Sequence, residues 1–355
     1  METHPCAMHT AHVRWGARAR ARGSRSYPLG TAMVRLRAPH PPHRNRGVAV
    51  IVAMLVVALA TAAVTAMVSR QQIEIRRTAN LLEQDQAYLY GLAVETWGEE
   101  ILRKDHAKSA VDDLTENWAQ LPPPIPVEGG SLAGRIIDLQ GRFNLNNLVV
   151  NGLESQPDAA RFRRLLELLG LDPDLVQSVL DWIDPDMQAR FPGGAEDDYY
   201  LRLSPPYRAA NQAMTSPTEL ILVAGYTPKI YQALAPFITA LPGHTPINVN
   251  TAPALVLAML VPGLSADDAK ALVQARAQQP YKTVQDFLNQ PAIQARLRQN
   301  PQLQATLTQG ISVSSNYFLI HSETQVGRAR VFLNSVILRG NQGNEEVIMR
   351  TRGTV

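Results

Sequence analysis

The chain has 355 residues, with 34 Lys and Arg against 31 Asp and Glu and a formal net charge of +3. Nine of the arginines and only one acid lie in residues 1–47, so residues 48–355 carry 25 basic and 30 acidic side chains. This acidic balance argues against a nucleic-acid-binding protein, because affinity for a phosphate backbone depends on clustered Lys and Arg. The single cysteine, Cys6, excludes a disulfide framework.

Residues 1–47 are basic, contain several prolines and glycines and show no apolar periodicity. This pattern predicts a cytoplasmic leader without a packed core. A basic arm that binds nucleic acid is the alternative. Met33 and the residues behind it would alone form a compact leader, so we expect translation to start there. A peptide from residues 1–32 in the unprocessed protein would contradict that start.

An uncharged run, residues 48–69, follows the leader. A helix of this length, at about 1.5 Å per residue, crosses the roughly 30 Å hydrocarbon layer of a bilayer. The arginines before it predict a cytoplasmic N-terminus, with the C-terminal bulk on the other side of the membrane. A buried helix of a soluble core and a cleaved secretory signal are the alternatives, although the run is long for either.

The helical pattern continues beyond the apolar run. Leu89, Ala93, Trp97 and Ile101 recur every fourth residue in a segment without proline. The sequence therefore predicts that the membrane helix extends outward as an amphipathic stalk helix over residues 70–120.

A basic leader ending in Gly47, followed by an apolar helix that becomes amphipathic, resembles the N-terminus of type IV pilin-like proteins. The resemblance implies cleavage between Gly47 and Val48 by a prepilin peptidase, methylation of the new N-terminus, and a single pass through the inner membrane with a periplasmic C-terminal domain. Most members have Glu at the fifth mature position, where this chain has Val52. A subunit without that charge suits the end of a filament better than its repeating body.

Strand patterns follow a proline-rich connector. Residues 134–145 alternate apolar and polar positions around a Gln-Gly turn and predict a hairpin. The C-terminal segments alternate in the same way, and the last of them, residues 347–355, should rejoin this hairpin. We therefore predict an α/β head with an antiparallel sheet, formed by residues 128–156 and 306–355.

Residues 157–305 separate the two halves of this head. They carry leucines at helical spacing in short segments that each begin near Asp, Ser or Thr. The predicted fold class is therefore α+β, with a long N-terminal transmembrane and stalk α-helix, a pseudopilin-like head, and a large inserted all-α domain of SAM-like or helix-hairpin-helix-like type.

Several strings together resemble the type II secretion minor pseudopilin K family, also called general secretion pathway protein K. In chain order they are GRFNLNNLV, LDWIDPD, FPGGAEDDYY, PYRAANQ, TELILV and INVNTAP. The resemblance implies a subunit that caps the pseudopilus tip with the minor pseudopilins I and J. It also implies contacts with other pseudopilins, a part in starting assembly for export of folded proteins across the outer membrane, and calcium bound in the helical domain.

The densest polar cluster begins with Asp181, Asp184 and Asp186 and continues, after two glycines, into residues 196–198. Ca²⁺ takes about six to eight oxygen ligands and accepts irregular loops. A cation would also relieve the repulsion between carboxylates brought together. The alternative is a solvated acidic loop whose Asp residues cap helices. With the resemblance we expect a structural calcium ion and these ligands: Asp184, Asp186, Glu196, Asp197 and Asp198.

Residues 247–287 resemble the helix-hairpin-helix modules of competence-type DNA-binding proteins. A membrane-anchored DNA-binding or DNA-uptake protein, or another type IV pilus tip protein, is therefore the alternative function. In those modules a Gly-x-Gly hairpin binds phosphate. Here Gly263 stands without the second glycine, and Asp267 and Asp268 follow it, so we expect packing against partners and no nucleic acid. The sequence offers no nucleophile motif such as G-x-S-x-G, and we expect no enzymatic activity.

Overall fold

The structure is a computed structural model that describes residues 46–340 and 344–353. It divides into two units, residues 1–68 and residues 69–355. Helix α1 runs from Arg46 to His106 and belongs to both. In the first unit the described side chains from residue 47 onward are all exposed, and the helix is long and apolar enough to cross a membrane. Residues 1–45 of the predicted leader, which include Cys6 and the Met33 start, lie outside the described residues.

The second unit combines a sheet with many short helices. The helices described after α1 are α2 Gln156–Leu168, α3 Leu175–Ile183, α4 Asp197–Tyr200, α5 Pro228–Leu234, α6 Ala254–Leu260, α7 Ala266–Gln278, α8 Val284–Leu288, α9 Pro291–Gln299 and α10 Gln302–Gly310. The described strands are β1 Ile125–Val127, β2 Gly130–Asp138, β3 Phe143–Asn144, β4 Val149–Val150, β5 Leu153–Glu154, β6 Ile238–Thr239, β7 Ile247–Asn248, β8 Ile311–Ser312, β9 Tyr317–Val326, β10 Ala329–Arg339 and β11 Glu345–Arg352.

The head is a five-stranded antiparallel sheet in the order β1-β2-β9-β10-β11. The C-terminal half of α1 packs on one face, where Val94 and Leu102 join a core with Phe318 and Ile320. Gly98 allows the close approach, because a Cβ there would lie 2.5 Å from Cδ1 of Ile320. The predicted fold class, with a long N-terminal helix and an antiparallel sheet, is confirmed.

Two ion pairs fix the stalk end of α1 and the following connector to the sheet. Arg350 on β11 binds Glu95 at 2.6 Å, and Arg339 on β10 binds Asp112 at 2.8 Å. The second pair is buried, with both side chains 2% exposed. These contacts turn the chain toward the sheet soon after His106. The prediction that the stalk helix continues to residue 120 is therefore wrong, because the helix ends at His106.

The predicted hairpin over residues 134–145 is also wrong. Strand β2 forms an antiparallel hairpin with β1, the strand before it in the chain. Its other neighbour in the sheet is β9. Phe143 instead pairs in parallel with Ile238 of β6 and stacks on Phe162 at 5.4 Å. The apolar side chains of this segment are thus buried among the helices. The last strand, β11, pairs with β10 at the sheet edge and does not rejoin β2.

The helical insertion has its own core, which is larger than that of the head. It begins at Phe143, Leu145 and Leu148 and reaches Ile311. The insertion therefore extends beyond the predicted range 157–305 at both ends. Residues 142–145 alternate like a returning strand of the head, but burial of Phe143 and Leu145 in the insertion core places them there instead.

Candidate metal site

The loop between α3 and α4, residues 184–196, contains the acidic cluster predicted from the sequence. Helix α3 ends at Ile183 because Asp184 precedes a proline and adopts an extended backbone, with ψ at 158°. Trp182 in α3 and Tyr200 in α4 pack edge to face with ring centroids 5.2 Å apart. The aromatic contact therefore holds both ends of the loop together.

An arginine occupies the centre of this loop. The Arg190 Nη1 atom lies 2.7 Å from Asp181 Oδ1, and it also contacts Asp184. The backbone N–H of Arg190 donates to the other Asp181 oxygen at 3.0 Å. Asp181 is fully buried and Asp184 is 1% exposed. Arg190 was not among the predicted site residues, although it lies within the acidic cluster in the chain.

Three of the predicted ligands come together beside this arginine. Asp184, Asp186 and Glu196 each offer a carboxylate oxygen, and the three atoms lie within 4.8 Å of one another. One oxygen of Asp184 and both of Glu196 are buried without a hydrogen-bond partner among the described residues. A buried carboxylate oxygen without a hydrogen-bond partner destabilises the fold, so the arrangement favours a bound cation.

Asn211 adds an uncharged oxygen that the sequence analysis did not identify. Its Nδ2 donates to the backbone carbonyl of Asp186 at 3.1 Å. Its Oδ1 is buried and, within the described part of the chain, unpaired. The backbone of Asn211 has a φ of 46°, a conformation in which Asn is enriched. In the sequence, only its position in the string PYRAANQ pointed to a functional role.

The electrostatics of the loop also favour a cation. Burial, together with the charges of Asp181 and Asp184, raises the pKa of Glu196 to about 7. Burial raises the pKa of Asp184 too, against the opposing effect of Arg190. Arg190 contacts the carboxylates of Asp181, Asp184 and Glu154, and among the described residues Asp186 and Glu196 have no ion-pair partner. Carboxylate and amide oxygens in an irregular loop are the donor set that Ca²⁺ prefers.

The other two predicted ligands are not part of this group. Asp197 accepts a hydrogen bond from the backbone N–H of Ala209 at 3.0 Å and lies 3.6 Å from Arg208. Asp198 is exposed. Both lie in the first turn of α4, where negative side chains stabilise a helix N-terminus.

A second acidic group lies where α1 meets the sheet. It contains Asp105, Asp112 and Glu116, and burial raises the pKa of Asp105 to about 7. Arg339 already occupies this group, through its ion pair with Asp112. The guanidinium makes this group an internal ion-pair network that ties α1 and the following connector to the sheet.

A short turn joins α6 and α7 in the segment that the sequence predicts to resemble a helix-hairpin-helix module. Gly263 forms the turn with a φ of 78°, and Ser265 caps α7 by accepting from the backbone N–H of Asp268 at 3.0 Å. Asp267 and Asp268 occupy the first turn of α7. Their charges oppose a phosphate at the helix N-terminus, where such modules bind it.

The residues predicted to direct processing lie at the beginning of α1. Gly47, Val48 and Val52 are helical, and Val48 and Val52 are 62% and 52% exposed. Their roles in processing and in tip placement stay predictions.

Family models match two parts of the chain. Residues 141–243 match the first domain of type II secretion system protein K, and residues 247–308 match a second model with the same description. Together these models cover most of the helical insertion. The first begins near Phe143, in agreement with the extent of the insertion core.

Curated relatives match over most of the chain. The type II secretion system protein K of Pseudomonas aeruginosa is 36% identical over 320 residues, which are 87% of this chain and 93% of that protein. The protein of the same name from Aeromonas hydrophila is 35% identical and covers 87% of this chain and 98% of its own length.

A solved structure resembles the fold as well. It is the crystal structure of the GspK-GspI-GspJ complex from the type 2 secretion system of enterotoxigenic Escherichia coli. One chain of it is 28% identical to this protein, with a TM-score of 0.71, and the match covers 79% of this chain and all of that one.

Proposed function

This chain belongs to the type II secretion system protein K family and is a minor pseudopilin of type II secretion, and we propose that it caps the pseudopilus tip together with the minor pseudopilins I and J. In this role it helps to start pseudopilus assembly for export of folded proteins across the outer membrane. The leader lies in the cytoplasm and the sheet and helices lie in the periplasm. The role is structural, and the proposal assigns the chain no catalytic step.

An unpaired apolar stripe on the stalk supports the assembly role. Ile75, Leu82 and Leu89 are 68%, 64% and 63% exposed. Their spacing of seven residues places them on one face of α1, and a helix with such a stripe buries it against another helix. We propose that this stripe packs on the stalk helices of partner pseudopilins.

Replacing Leu82 and Leu89 together with arginine should weaken binding to minor pseudopilins I and J at least about tenfold, because it places two charges in an apolar interface. Co-purification of the full-length chain with both partners from membranes measures the effect. The control changes Asn80 and Gln84 to arginine on the opposite face of the same stretch. Equal recovery of the two variants would contradict the assignment of the stripe.

Processing is the second test of the pseudopilin assignment. We propose that prepilin peptidase cuts between Gly47 and Val48 and that the new N-terminus is methylated. Replacing Gly47 with Trp should leave almost all of the chain unprocessed, because the peptidase must accommodate the residue before the cut. The intact mass of the membrane-bound chain measures this, with Ala49→Val as the control. A mature mass in the Gly47→Trp variant would contradict the site.

Val52 is the proposed tip determinant. Val52→Glu supplies a carboxylate that can pair with the free amine of a neighbouring subunit, so the variant should enter the filament body. Immunogold labelling of pseudopili measures the placement, and Val52→Gln serves as the uncharged control. Gold confined to the tip in the Glu variant would argue against the charge.

We also propose a structural calcium ion in the loop between α3 and α4. Asp184, Asp186, Glu196 and Asn211 would hold it. When bound, the ion neutralises carboxylates and ties the ends of the loop together. The orphaned oxygens of Asp184, Glu196 and Asn211 are the observation that supports the proposal.

A further inference from the structure

Three large apolar side chains stand out from two loops of the helical insertion, the loop between α3 and α4 and the β4–β5 hairpin, whose strand β5 begins at Leu153. Phe191 is 96% exposed, Leu153 is 74% exposed and Met187 is 63% exposed. We call these three residues the apolar loop surface. A nearly fully exposed phenylalanine grouped with other apolar side chains is a mark of an interaction site, whereas single exposed apolar residues are ordinary.

The two loops contact each other. Arg190 Nε lies 3.6 Å from the Glu154 carboxylate, which links the loop of Phe191 to strand β5. Pro185 packs close to Gly152, because a Cβ on Gly152 would lie 3.3 Å from the proline ring. Hydrogen bonds from Arg190 to the buried Asp181 fix the loop of Phe191 to helix α3. The apolar loop surface is thus presented by an ordered frame, which lowers the entropic cost of binding.

The charged groups around this surface are mainly acidic, and we call them the acidic rim. Asp174 is exposed, and its backbone lies against Gly193 of the same loop. Asp172 is exposed and accepts from the backbone N–H of Asp174. Arg190 points inward to its carboxylates and is 23% exposed. The rim therefore repels anionic lipid head groups and attracts basic side chains.

We propose that the apolar loop surface docks a partner protein whose contact site is an apolar pocket bordered by Lys and Arg. Phe191 fills the pocket as the anchor, with Met187 and Leu153 beside it. The acidic rim orients the partner. The proposal goes beyond assembly through the stalk, because residues of α1 have no part in this surface.

The test places the photo-crosslinker p-benzoyl-L-phenylalanine at Phe191 of the full-length chain, in cells that produce the complete secretion machinery. The expected adduct joins Phe191 to a protein segment in which apolar residues adjoin Lys or Arg. Asp174→Lys should reduce its yield roughly threefold or more, because it reverses one charge of the rim. Asp267→Lys, an exposed change on α7, should leave the yield unchanged. The same crosslinker at Leu222, which is 47% exposed, measures random collisions.

A second arrangement separates docking from folding. With the crosslinker at Met187, Phe191→Ser should remove the same adduct while the melting temperature stays unchanged, since the replaced ring is exposed. The proposal is overturned by a yield no higher than at Leu222, by an adduct with lipid, or by an adduct with an acidic or uncharged segment. A yield that does not respond to Asp174→Lys overturns it as well.

Discussion

Removing calcium with EDTA should lower the melting temperature of the full-length chain in detergent by about 5 to 10 °C. A bound ion stabilises a fold by about 2.7 kcal/mol at a hundredfold excess over its Kd, and about 2 to 4 °C corresponds to each kcal/mol in a domain of this size. Differential scanning calorimetry with and without added calcium measures the change.

Variants distinguish the proposed ligands from their neighbours. Asp184→Asn combined with Glu196→Gln should abolish the response to calcium, because it removes both carboxylates that have orphaned oxygens. Asp197→Asn combined with Asp198→Asn is the matched control and should retain the response. A response lost in both variants would restore the ligand set expected from the sequence, whereas a response kept in the first variant would exclude Asp184 and Glu196 as ligands.

The response should also depend on pH. The pKa of Glu196 is raised to about 7 in the fold, against about 4.3 in an unfolded chain. Without a cation, the stability contributed by protonated Glu196 is therefore complete below about pH 4 and is lost as the pH rises through 7. Calcium binds the deprotonated group, so its effect on the melting temperature should be larger at pH 8 than at pH 6. A smaller effect at pH 8 would exclude Glu196 as a ligand.

Local pattern was sufficient to predict the large features of this fold. The membrane helix depends on an uninterrupted apolar run, and strands β9 and β10 depend on alternation, so both are encoded in short windows of sequence. The acidic cluster was predictable for the same reason, because Pro185 alone separates Asp184 from Asp186 in the chain. Features of this kind need no knowledge of which elements meet.

The errors arose where long-range contacts decide the structure. Phe143 alternates like a strand residue of the head, but its partner is Ile238 of the insertion. Asn211 reaches the acidic loop from 25 residues beyond Asp186. The two consecutive glycines were a usable signal, since a Cβ at Gly194 would lie 2.5 Å from the backbone of Arg190. They mark the tight turn around that arginine.

Arg190→Met should destabilise the chain by about 3 to 5 kcal/mol in the absence of calcium, the cost of leaving a buried charge without its partner. Asp181 is fully buried and Asp184 is 1% exposed, so water cannot readily replace the guanidinium. Urea unfolding in EDTA measures the loss. Arg208→Met is the control, because Arg208 is 75% exposed and lies 3.6 Å from Asp197; an exposed pair of this kind contributes about 0 to 1 kcal/mol.

Calcium should recover part of the stability lost in the Arg190→Met variant. The proposed ion and Arg190 share the Asp184 carboxylate, so either cation relieves part of the repulsion within the loop. Asp181 would still lack its partner, and the recovery should therefore be incomplete. Full recovery would mean that Asp181 also binds the ion. No recovery at saturating calcium would show that the ion cannot replace Arg190 in the loop. A loss below about 1 kcal/mol in EDTA would show that Arg190 is not the counter-ion that holds this loop.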